Sequence, residues 1–178
     1  MAKLNYLLLT LLAGSMLIAA CRKSNNAKQD IIDDKNLTTC PDGANGCSYL
    51  FSEHADFDAQ NITLKPGAYR LFWRDIDRPG MTDILYIKAP LEVNKFELSA
   101  KDIKAGRVIT HFGCPSCYAV SFKAVGGYVK GINTTPTARA DQAKWLVEAK
   151  IYREAEGDAS IKDTLYVKQY FDANFVID

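Results

Sequence analysis

The chain has 178 residues, 48% of them hydrophobic, with 22 basic against 21 acidic side chains and a formal net charge of +1. That balance excludes the strongly basic face that a nucleic-acid partner needs to displace counterions. It also gives no reason to expect a polybasic grip on anionic lipid, while the length suffices for one domain with a real core.

Chain order begins with a leader. Lys3 is the only charge in the first twenty residues; an apolar run over Leu7–Leu12 follows, and small residues precede Cys21. The apolar stretch is interrupted by Asn5, Thr10, Gly14 and Ser15, and it sits at the short edge of the roughly 20 residues that span a bilayer. A charged start, apolar middle and small-residue end are the marks of a secretory signal. Ile18-Ala19-Ala20-Cys21 resembles the bacterial lipobox. That resemblance implies cleavage before Cys21, with Cys21 acylated (diacylglyceryl, palmitate) as the mature N-terminus. One acyl chain binds a membrane weakly and two or more bind firmly, because each buried methylene contributes ~0.8 kcal/mol. The expected partner is therefore the membrane, through a lipid anchor, in the cell envelope. Arg22, not an acidic residue, follows the cysteine, which under the enterobacterial sorting rule implies the outer membrane.

Residues 22–39 are mostly polar, with only Ile31, Ile32 and Leu37 as sizeable apolar groups. Such a stretch buries too little to offset its ordering entropy and reads as a flexible tether. Its Asn- and Lys-rich style resembles lipoproteins of the Bacteroidota. The expected organisation is a signal peptide at 1–20, a tether at 21–39 and a single domain at 40–178. Leaving out Lys3, the mature chain has 22 less one, or 21, basic residues against 21 acidic ones.

From Ser48 onward, alternation dominates. Tyr69, Leu71 and Trp73 alternate with Arg70 and Arg74, with Phe72 breaking the polar side; Phe96 and Leu98 alternate with Lys95 and Glu97; Tyr118, Val120 and Phe122 alternate with Ser121 and Lys123; Leu165 and Val167 alternate with Thr164 and Lys168. A period of two places successive side chains on opposite faces of a strand. Asp83–Ala89 is more continuously apolar and suits a central strand. Gly126-Gly127 reads as a tight hairpin turn, and Lys65-Pro66-Gly67 and Ala155-Glu156-Gly157-Asp158 read as further turns. The expected fold is all-β: an antiparallel β-sandwich of about eight or nine strands. Ala138–Ala143 allows one short helix, whereas Trp145, Val147, Ala149 and Ile151 fit a strand paired with Asp163–Phe171.

Four cysteines remain after Cys21: Cys40, Cys47, Cys114 and Cys117. An even number in an exported chain implies two disulfides, with three possible pairings. The local one is preferred, because turn residues lie between Cys40 and Cys47 and between Cys114 and Cys117. Cys114-Pro-Ser-Cys117 has the spacing of a thioredoxin-like redox motif, but the residues after it read as a strand, without the helix N-terminus that activates such a thiolate. His111, Cys114 and Cys117, with His54, form a candidate metal set. Asp56, Asp58, Asp75 and Asp77 are calcium candidates in or near loops, without EF-hand spacing. Trp73, Trp145 and Tyr128 are candidates for a sugar-stacking platform, against the commoner role of strand aromatics as core. No Ser/His/Asp arrangement is recognisable.

These readings converge on a non-enzymatic, lipid-anchored envelope protein with a binding or structural β domain and an envelope protein or glycan as partner, and no cofactor. Thiol or metal chemistry at His111, Cys114 and Cys117 is one alternative, and a glycan-binding module is the other.

Overall fold

The computed structural model describes residues 32–114 and 121–174. The leader, Cys21, residues 22–31 and Cys117 lie outside them.

Among the described residues there are nine strands: β1 (Gly46–Asp58), β2 (Thr63–Pro66), β3 (Tyr69–Arg78), β4 (Met81–Ala89), β5 (Lys95–Leu98), β6 (Val108–Gly113), β7 (Phe122–Asn133), β8 (Lys144–Ala155) and β9 (Asp158–Ala173). The all-β expectation and its strand count hold. All nine strands belong to one sheet in the order β5-β7-β8-β9-β1-β3-β4-β6, with β2 on β1. Every pairing is antiparallel except a short parallel contact of β1 with β9, at Leu50–Asp172 and Phe51–Ala173. The sheet curls into a half-barrel, so the two layers of a sandwich are here two halves of one sheet.

The core lies on the concave face. Phe72 (β3) is fully buried at its centre. Its ring meets Phe51 at 5.4 Å, Phe96 at 5.5 Å, Trp145 at 5.6 Å and Phe171 at 5.5 Å. Offset and edge-on aromatic pairs at such spacing add to the stabilisation from burial alone. Leu85, Ile87, Val129, Val147, Ile151 and Val167 belong to the same cluster. The residue that broke the alternation is therefore the hub, and Arg70, Phe72, Arg74 and Ile76 form the inward row of β3. Leu71 and Trp73 point the other way, into a second cluster with Ala55, Phe57 and Tyr86. This strand is buried on both faces, and a two-sided strand does not declare its inner row by polarity.

The inward arginines stand at the ends of the core, each engaged. Arg70 lies 4.2 Å over the Trp145 ring and donates to Glu53 at 2.6 Å and to the Leu91 and Val93 carbonyls. Arg74 pairs with Asp83, Arg153 pairs with Asp163 at 2.5 Å, and Arg153 also approaches Asp83 at 3.8 Å. Buried charge is tolerated where it is paired and hydrogen-bonded.

The second cluster exists because β1 bends. Its register with β3 shifts between Ser52 and Ala55, and His54 there takes φ 52°. The far half of β1 then forms a hairpin with β2 that covers the convex face of β3 and β4. Phe57 stacks on Tyr86 with ring centroids 4.0 Å apart. Gly67 permits the tight return, since a Cβ there would collide with Asp56.

Two local expectations are corrected. Gly126-Gly127 is not a hairpin turn: β7 runs through it, with a register shift between Ala124 and Gly126. Gly127 has φ 112°, and a Cβ on it would strike the Lys150 carbonyl. A glycine pair serves a bulge as readily as a turn. The short helix expected over 138–143 is a single 3₁₀ turn, Ala140–Gln142, while the stretch after it is strand β8. A helical segment that the alternation did not foretell, Ala100–Arg107, leads into β6; Ser99 and Asp102 cap it reciprocally.

Candidate binding groove

β3 presents Trp73 and Asp75 outward, and β4 places Tyr86 and Ile84 beside them in register. The β1–β2 hairpin overhangs this pair of strands. Between them lies a groove of about 380 Å³, lined by Trp73, Asp75, Ile84, Tyr86, Leu64 and Ile62 among others. Trp73 and Tyr86 supply an aromatic wall, and Ile62, 45% exposed, forms the outer rim.

Asp75 is the polar element of the groove. Its Oδ1 is buried and finds no hydrogen-bond partner among the described residues. Burial raises its pKa above the ordinary carboxylate value, and neighbouring Asp77 adds to this. The Tyr86 hydroxyl is pushed up to about 12, by burial first and by the Asp75 charge second. An unpartnered buried carboxylate oxygen is costly in a folded domain. The Asp75 residue as a whole lines the groove beside the aromatic wall.

The other calcium candidates have separate tasks. Asp56 pairs with Lys88 at 2.6 Å; burial opposes its ionisation, but Lys88 and the Phe57 backbone N–H hold its pKa below the usual value. Asp58 accepts from the Gln60 and Asn61 backbone N–H groups, closing the β1–β2 turn. Asp77 accepts from Asn45 at 3.1 Å. Among the described residues, no three His, Cys, Asp or Glu side chains gather as a metal set. His54 sits at the bend of β1, and His111 on β6 lines a separate groove of about 300 Å³ with Phe57, Phe112 and Arg153.

Cys40 and Cys47 are bonded, S–S 2.08 Å and Cα–Cα 5.7 Å, the local pairing. Cys114 is likewise disulfide-bonded; its partner falls outside the described residues.

Of the three aromatic candidates, Trp145 is corrected: at 1% exposure it is core, because its ring closes the concave face against Phe72 and Phe96. Trp73 lines the groove. Tyr128 lies on the convex face of β7 and donates to Glu148 at 2.5 Å. Sequence reasoning singled out Trp73 and Asp75 for different roles and did not join them, although their i, i+2 spacing on one strand places them on one face. Tyr86, an aromatic that the sequence also offers for stacking, is set beside Trp73 by the register of β3 with β4; Leu64 carries no such signal, and the bend in β1 brings it in.

Comparison with known proteins is negative: no family model, curated protein or solved structure matches this chain. The reading of the groove rests on its chemistry.

Proposed function

We propose that this chain is a lipid-anchored cell-envelope protein whose β domain is a non-catalytic binding module, and that the groove under the β1–β2 hairpin takes a sugar residue of an envelope glycan. The anchor is supported by the lipobox resemblance at Ile18–Cys21. The binding role is supported by one observation: an acidic side chain, Asp75, lines one groove with the aromatic wall of Trp73 and Tyr86. Sugar rings offer apolar C–H faces for aromatic stacking and hydroxyls for a carboxylate acceptor, and binding sites commonly join an apolar wall to a few placed polar groups.

Tryptophan fluorescence tests this directly. Of the two tryptophans, Trp145 is core and Trp73 lines the groove. Titration of the full chain with a panel of neutral and amino sugars and cell-wall fragments is expected to shift the emission. The response is expected to vanish in Trp73→Phe and to weaken at least tenfold in Asp75→Ala. A panel without response, or a response that survives Trp73→Phe, refutes the assignment.

A further inference from the structure

We infer that the groove under the β1–β2 hairpin selects amino sugars whose amine is unsubstituted, the ligand ammonium pairing with the Asp75 carboxylate beside the Trp73 ring. This deepens the sugar-binding reading above and rests on it.

Charge sets the preference. Asp75 is the one charged side chain among the described residues that line the groove. No lysine or arginine among the described residues forms an ion pair with it. Neighbouring cations are committed elsewhere. Arg74 points to the opposite face of β3 and pairs with Asp83. Lys88, on the same face of β4 as Tyr86, pairs with Asp56 at 2.6 Å and lies 5.7 Å from the Tyr69 ring centre. Asp77, two residues along the strand, adds a second negative charge instead. Burial first and then Asp77 disfavour the charged form of Asp75. A cation brought into the groove relieves that cost, because an opposite charge nearby favours the ionised carboxylate. Asp75 Oδ1 is enclosed, whereas Oδ2 is neither enclosed nor hydrogen-bonded among the described residues. Oδ2 is therefore the oxygen that a ligand ammonium reaches.

The aromatic side chains point the same way. Arginines and lysines lie over Tyr69, Trp145 and several other rings, but none of those described lies over Trp73 or Tyr86. Phe57 stacks on Tyr86, which leaves the half-buried Trp73 as the ring open to a ligand. Trp73 and Asp75 stand about 7 Å apart along one face of β3, a span that one pyranose ring with its amino group covers. The sugar ring rests on Trp73 while its ammonium meets Asp75, and positive charge beside an indole face adds cation–π attraction. N-acetylation removes that charge and leaves Asp75 desolvated without a counter-charge, the costly case. A hydroxyl in the same place gives a hydrogen bond with one charged partner in place of two, and a weaker one.

The test titrates the tryptophan emission of the full chain with the methyl glycosides of glucosamine, N-acetylglucosamine and glucose. It is run at about pH 7, where an amine of this kind is largely protonated. The amino glycoside is expected to bind at least tenfold more tightly than either counterpart. Asp75→Asn, nearly the same size but uncharged, is expected to cut that preference below twofold. Raising the salt from about 0.1 M to about 1 M is expected to shrink the preference at least threefold in the parent chain, because an exposed ion pair is screened; this arm needs no variant. No response to these three glycosides or to the wider panel overturns the sugar-binding reading and this inference with it. A response confined to other members of the panel overturns this inference alone. So does equal binding of the three glycosides, or a preference that survives Asp75→Asn or ignores salt.

Discussion

Asp75 is a side chain whose burial costs stability. Its proton is held more tightly in the folded chain than in the unfolded one, because burial and Asp77 disfavour the charge. Between the ordinary value of 3.8 and its raised folded value, the native state carries more protons than the unfolded state. Stability therefore falls as pH rises through that window. Asp75→Asn is expected to melt higher than the parent at neutral pH and to match it below the window, as thermal unfolding across pH will show. The same substitution is expected to weaken sugar binding. Phe72 is the opposite case, a residue whose contacts all contribute to stability. Its ring is fully buried against four other rings, and Phe72→Ala is expected to lower unfolding stability by about 3–5 kcal/mol in urea titration.

At the scale of the element, bends and bulges decide what each strand can do. The shift in β1 near His54 turns one long strand into both a central member of the sheet and a cover for its convex face. Without it, Trp73 and Tyr86 would be an open patch. The bulge in β7 keeps β7 and β8 paired past a register change that would otherwise end the ladder. Gly127→Ala is expected to cost about 1–3 kcal/mol from its φ of 112° alone, with more from the clash at the Lys150 carbonyl. Gly126→Ala meets only ordinary contact, nearest Tyr152 at 3.6 Å, and is expected to stay within about 0.5 kcal/mol of the parent. Denaturation of the two variants side by side separates a bulge requirement from a general loss of glycine.

Across the whole molecule, the segment at Thr38 bonds the backbone edge of β9, whereas the β1–β2 hairpin covers the convex face of β3 and β4. Cys21→Ser is expected to move the protein from the membrane fraction to the soluble fraction and to leave the sugar-dependent fluorescence of Trp73 intact. Cell fractionation with the titration described above checks both.

The export signal and the anchoring cysteine are properties of residues read in order, so local sequence alone carries them as expectations. Alternation likewise announced an all-β domain of eight or nine strands, because a half-buried strand writes its two faces into its polarity, as at Phe96–Leu98 and Leu165–Val167. The same rule could not rank the faces of β3, where Phe72 on one side and Leu71 on the other are both fully buried. Nor could it tell the bulge at Gly126-Gly127 from a turn, since both need the same conformational freedom. The local disulfide Cys40–Cys47 followed from short spacing, but the union of Trp73, Asp75, Tyr86 and Leu64 did not. Those residues come from three strands, and only the bend in β1 and the register of β3 with β4 bring them within reach.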